Sequence, residues 1–181
     1  MKTQINLLLI GLLLYVSEAG AQTYYYNTTK TFSESGYTYQ CDLRYGAVVL
    51  YNKANQFTYA NQIFKNSGSI VEEGHWDDID DVQMETWTRP LARTIVNNAF
   101  TAAEKSRLKG ESFGITMIIS PETGKVIEVN FDFNPYIGYG TVPVSTYRKI
   151  ETDLKAQIWF TPTTEGKKVN YLMRFWRQEV K

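Results

Sequence analysis

The chain is short of the residues that catalysis and cross-linking most often use. It holds one cysteine, Cys41, and one histidine, His75, in 181 residues. A single thiol makes no internal disulfide, so an apolar core has to hold the fold. Lysine and arginine match aspartate and glutamate, 19 against 19. A neutral chain lacks the basic footprint that nucleic acid demands, which excludes that class of partner. The five prolines are scattered singly, so there is no stiff Pro-rich spacer, and neither a repeat nor a low-complexity tract is present. The chain has one apolar run, Ile5 to Val16, broken only by Asn6 and Gly11.

That run follows Lys2 and precedes Ala19-Gly20-Ala21, the pattern of a secretory signal peptide with cleavage after Ala21. No later run approaches membrane length, so no span is expected after cleavage. Cys41 lies too far downstream to be a lipidation site. The expected location is periplasmic or secreted, with residues 22–181 forming one mature domain. Its parts are a tyrosine-rich β-meander (22–64), an acidic loop (65–88) and an αββαβ unit (89–181).

Hydrophobic spacing supplies the elements. Thr23 to Asn27 reads as an N-terminal strand or ordered arm. Tyr37 to Asp42, Gly46 to Asn52 and Phe57 to Phe64 read as three consecutive strands, with Arg44-Tyr45-Gly46 as a hairpin connection. Arg89-Pro90 opens a helix whose apolar positions run from Leu91 through Ile95, Val96, Ala99 and Phe100 to Ala103, ending near Lys109-Gly110. Phe113 to Ile119 and Ile127 to Phe133 alternate around Pro121-Glu122-Thr123-Gly124, a hairpin with one buried face. Val144, Tyr147, Ile150, Leu154 and Ile158 form the stripe of a second helix, which Pro162 stops. Lys168 to Arg177 reads as a long final strand. The fold class is therefore α+β: an antiparallel β-meander followed by an αββαβ unit, helices packed on sheet.

Catalytic signatures are missing. There is no Gly-x-Ser-x-Gly elbow, and Gly138-Tyr139-Gly140 lacks the third glycine and the lysine of a phosphate cradle. No catalytic residue and no cofactor are expected, and the protein is read as non-enzymatic. The alternative is a small secreted hydrolase or metal-dependent enzyme built on the acidic loop, where His75, Asp77, Asp78, Asp80 and Asp81 could ligate a cation. Their spacing does not match an EF-hand, and a solvated acidic loop is the reading such an unpatterned acidic run favours. A Cys41–His75 dyad is the other arrangement this inventory allows. Tyrosine, at 13 residues, offers a different chemistry: Tyr24, Tyr25, Tyr26, Tyr37 and Tyr39 would form an aromatic contact surface for peptide or carbohydrate.

The segment from Pro90 to Gln178 resembles the C-terminal domain of the TonB energy-transducer superfamily. The likeness rests on the helix, the hairpin with Pro121-Glu122-Thr123-Gly124-Lys125-Val126, the helix from Pro143, Trp159-Phe160-Thr161-Pro162, Gly166 and a last strand. The mature chain also resembles a family of small secreted proteins of gut Bacteroidetes known as a domain of unknown function, through Thr23-Tyr24-Tyr25-Tyr26, Ile95-Val96-Asn97-Asn98-Ala99-Phe100 and Tyr171-Leu172-Met173-Arg174-Phe175-Trp176. The first resemblance implies that an extended peptide pairs with the edge of the final strand. Lys168, Asn170, Tyr171, Arg174, Trp176 and Arg177 would line that site, with an envelope or extracellular protein or peptide as partner. The chain departs from an energy transducer in having a cleavable leader and no spacer.

Overall fold

The structure, a computed structural model, describes residues 23–71, 81–83 and 85–181. Three strands come first: β1 (Lys30–Glu34), β2 (Tyr37–Arg44) and β3 (Ala47–Asn52). The helices α1 (Thr88–Ala99) and α2 (Ala102–Arg107) follow, then the hairpin β4 (Phe113–Ile119) and β5 (Val126–Phe133), helix α3 (Val144–Gln157) and β6 (Leu172–Gln178). All six strands form one antiparallel sheet in the order β1-β2-β3-β5-β4-β6. The meander and the αββαβ unit thus meet through the β3–β5 ladder and share one core. Among the described residues, no helix is long and apolar enough to cross a membrane.

The meander turns where two consecutive residues take positive φ. Ser35 and Gly36 do so at 45° and 85°, Tyr45 and Gly46 at 50° and 79°. That is the type I′ geometry whose twist matches a two-residue hairpin. The first strand of the meander is therefore Lys30–Glu34, which the spacing of apolar residues did not announce.

One sheet face carries the core. Tyr39, Leu50, Phe131, Ile115 and Trp176 fall on it at successive strands, as do Val48, Phe133 and Phe113. The helices cover this face. Tyr147 of α3 is fully buried, stacked on Phe133 at 5.2 Å between ring centroids, and its hydroxyl donates to the Tyr139 carbonyl at 2.9 Å. The arm before β1 is ordered without being a strand: Tyr25 donates its N–H to the Gly140 carbonyl at 2.8 Å, and Tyr26 plugs the core beside Tyr147.

Four expectations are corrected. Phe57 to Phe64 is not a strand. It belongs to a strap, residues 53–64, laid over the second sheet face. Consecutive N–H groups of Gln56 and Phe57 go to the Glu128 carboxylate at 2.6 and 3.0 Å, so side chains of β5 replace a ladder partner. The strap also buries the second face of the β4–β5 hairpin, leaving Ile118, Glu128 and Asn130 under a tenth exposed. The long helix breaks in two at Phe100, because Thr101 and Glu104 form a capping box that starts α2. The final strand is shorter than Lys168–Arg177: Lys168 ends a 3-10 turn, and Val169 and Asn170 pair back onto Phe64 and Ile63.

Trp159-Phe160-Thr161-Pro162 acquires a definite role. The segment lies between the β4–β5 turn and the chain at 81–83. Phe160 donates its N–H to the Gly124 carbonyl at 2.8 Å, Lys125 bridges Trp159, and Pro162 bridges Val82. A Cβ on Gly124 would come 1.8 Å from the Phe160 carbonyl oxygen, so only glycine permits this contact.

Candidate functional site: the β6 edge and its groove

The last strand is an edge strand. It pairs with β4 on one side, and among the described residues no backbone hydrogen bond satisfies its other side. Beside that edge, between β6 and the start of α1, lies a groove of about 320 Å³. Ala92, Met117 and Phe160 form its apolar floor, with Trp176, Phe175 and Glu85 around it. Glu85 fixes the groove's end: its Oε1 accepts from the Thr161 N–H and hydroxyl at 3.0 and 2.7 Å. Its Oε2 is buried and has no partner among the described residues. The groove thus joins an apolar floor, unpaired backbone and one unspent carboxylate oxygen.

The predicted edge residues divide. Lys168, Asn170 and Tyr171 are not on an open edge. The Lys168 carbonyl accepts from the Lys65 N–H at 2.8 Å, Asn170 Oδ1 accepts from Ile63, and the Tyr171 hydroxyl donates to the Ala60 carbonyl at 2.8 Å. Asn170 and Tyr171 are thus spent on the strap, while Lys168 is held by Lys65 just beyond it and by Glu165, which accepts from its ammonium. Arg174 sits at the groove, but its guanidinium is engaged with both oxygens of Asp81, at 2.9 and 2.6 Å. Asp81 is thereby placed as an ion-pair partner. Trp176 packs on the core side, its indole N–H donating to Gln178 Oε1 at 3.0 Å. Gln178 in turn donates to the Arg93 carbonyl and to Asn97, which clamps α1 to the end of β6. Arg177 points to the other face, 3.4 Å from Asp132.

The aromatic surface also divides. Tyr26 and Tyr39 are completely buried and belong to the core. Burial drives both phenols well above their ordinary pKa, and for Tyr39 the neighbouring Glu151 carboxylate adds to it. Alternation misplaced them because it marks which face a residue is on, not which face is covered. Tyr25 is half-buried against Tyr26, while Tyr24 and Tyr37 stay exposed, Tyr37 beneath the Arg148 guanidinium at 4.4 Å.

Cys41 lies buried on β2, between the edge strand β1 and β3, and burial pushes its thiol up to about 11. That state is the protonated, unreactive one. Of the acidic-loop residues, His75, Asp77, Asp78 and Asp80 lie outside the described residues. Among the described residues no group of three or more metal-ligating side chains converges.

Residues 22–176 match the family described as Domain of unknown function (DUF5043). The chain belongs to the DUF5043 family. A crystal structure of a DUF5043 family protein from Bacteroides uniformis is similar to it at 40% identity, with a TM-score of 0.83. The match covers 88% of this chain and 89% of that one. No curated protein matches this DUF5043 chain. The residues that sequence reasoning missed are Glu85 and Ala92, which build the groove. Glu85 could not be found in advance, because its partner Thr161 is distant in the chain and only tertiary structure joins them.

Proposed function

We propose that this DUF5043 protein is an exported, non-enzymatic binding module that holds an extended peptide along the outer edge of β6. The observation that carries the reading is the unpaired edge lying beside an apolar groove. An added strand would satisfy the backbone of β6 and drop alternate side chains onto Ala92, Met117 and Phe160, which is how strand addition combines affinity with selectivity. The reading also draws on the peptide-pairing mode that the TonB-like resemblance of Pro90 to Gln178 implies. The exported location rests on the leader, Lys2 to Ala21, and the partner is an envelope or extracellular protein segment.

Peptide phage display on the mature chain, residues 22–181, tests it. Captured sequences should alternate apolar and polar residues, and their peptides should slow amide exchange along β6. Ala92→Phe fills the groove floor and should abolish capture. Peptides that bind Ala92→Phe as well as wild type, or that protect only other elements, would refute the proposal.

A further inference from the structure

The sheet face turned away from the helices carries polar groups that the fold leaves unused. Asn130 of β5 stands directly across from Thr116 of β4, and Asp132 stands across from Gly114. The strap closes one end of this row. Asn130 Oδ1 accepts from Asn55 Nδ2 at 3.0 Å and from the Thr58 hydroxyl at 3.1 Å. Asn130 is only 8% exposed, yet among the described residues its Nδ2 donates to nothing. The Thr116 hydroxyl also has no partner among the described residues. Asp132 has one long contact, 3.4 Å from Oδ1 to Arg177 Nη1.

Gly114 gives the carboxylate its seat. A Cβ at that position would lie 1.7 Å from Asp132 Oδ2, so the acid occupies the space a side chain would have filled. Burial holds the Asp132 carboxyl above the usual carboxylate range, against the opposing charge of Arg177. The side chain is still 38% exposed, so its carboxylate stays open to donors from the hollow. The three side chains open into a hollow of about 240 Å³ walled by Phe57, Tyr59 and Tyr171.

The chemistry of the set selects its ligand. A carboxylate only accepts, an amide nitrogen only donates, and a hydroxyl does both. An ammonium would satisfy Asp132 but leave the Asn130 donor facing another donor. A metal ion would find one carboxylate and meet the same donor. Neighbouring hydroxyls on one ring can donate to Asp132 while accepting from Asn130, and the C–H face of that ring can rest on the aromatic wall. The hollow falls below the range of about 300–1,000 Å³ typical of drug-sized sites, which fits a single ring.

We infer that this hollow is a saccharide subsite taking one pyranose ring, with Asp132 and Asn130 bridged by adjacent ring hydroxyls and Thr116 binding a third. It lies on the opposite sheet face from the β6 groove and does not depend on the peptide reading.

The test is saturation-transfer NMR and calorimetry on the mature chain with free hexoses, hexosamines and uronic acids, each taken to about 20 mM, a range that reaches weak single-ring affinities. At least one neutral sugar should bind. Asp132→Asn should weaken it about tenfold or more, as expected for losing a charge-assisted hydrogen bond. Thr116→Val, which keeps the shape, should weaken it about threefold or more through loss of a neutral hydrogen bond. Absence of binding by every sugar overturns the inference. So does binding that neither Asp132→Asn nor Thr116→Val alters. Asp132-dependent binding of n-propylammonium with no sugar bound would reassign the hollow to amines and overturn it equally.

Discussion

Replacing Tyr39 with phenylalanine takes one oxygen out of the core and leaves the ring in place. The Tyr39 hydroxyl donates to Glu151 Oε2, tying β2 to α3, and Glu151 is only 2% exposed. The carboxylate has one other partner among the described residues, Lys155 Nζ at 3.5 Å from Oε1. The Lys155 side chain is 39% exposed, so solvent screens that ion pair, which contributes under about 1 kcal/mol. Hydrogen bonds to charged groups are worth about 1.5–3 kcal/mol, and the substitution leaves a buried charge short of its better donor. We therefore expect Tyr39→Phe to cost about 2 kcal/mol. For a domain of this size that lowers Tm by about 4–8 °C. Urea denaturation should show a lower midpoint with an unchanged slope, since the surface exposed on unfolding stays the same. The double variant Tyr39→Phe/Glu151→Gln should cost less than the sum of the two single changes, because either change alone already breaks the pair. A loss below about 0.5 kcal/mol for Tyr39→Phe, or strict additivity in the double variant, would show that this pair does not hold α3 to the sheet.

Two further outcomes follow from the packing. Gly124→Ala combines a φ of +70° with a contact of 1.8 Å to backbone. It should destabilise by about 3 kcal/mol from left-handed strain plus overpacking, against about 1–2 kcal/mol for Gly36→Ala, whose added Cβ meets open space; equal losses in urea melts would refute the contact. Cys41 should be inert to an aromatic disulfide reagent in the folded protein and react at once in guanidinium chloride, since burial raises its thiol to about 11; prompt reaction in the native state would contradict that burial.

The elements with strong local periodicity were legible in the sequence. The β4–β5 hairpin and α3 stand where alternation and helical spacing put them, because each buries a continuous face. What the sequence hid was decided by contacts between distant residues. The strap looks like a strand because Phe57 and Tyr59 alternate, yet Glu128 takes its N–H groups. Lys168 to Tyr171 look like the start of β6, yet the same strap and Lys65 just beyond it claim them. The missed strand β1 had a local signal in Ser35-Gly36, a dipeptide suited to two positive φ values. The break in the long helix had one in Thr101-x-x-Glu104. At the proposed peptide edge, sequence indicated the strand but not the groove, whose floor comes from α1, β4 and the segment after α3.

The β3–β5 ladder has a consequence for assembly. Without the meander, a sheet of β5, β4 and β6 would carry two open edges. With β3 in place, one of these is filled by the chain itself, and the remaining boundaries of the sheet are unlike: a five-residue β1 that begins at Lys30, and the longer β6. Pairing of β6 with β6 would close on a two-fold axis and stop. Pairing of β6 with β1 would repeat head to tail, as a ring where the rotation closes and as a filament where it does not. A short, lysine-bearing β1 is a poor acceptor for such growth, so the asymmetry between the two ends favours finite partners over fibres.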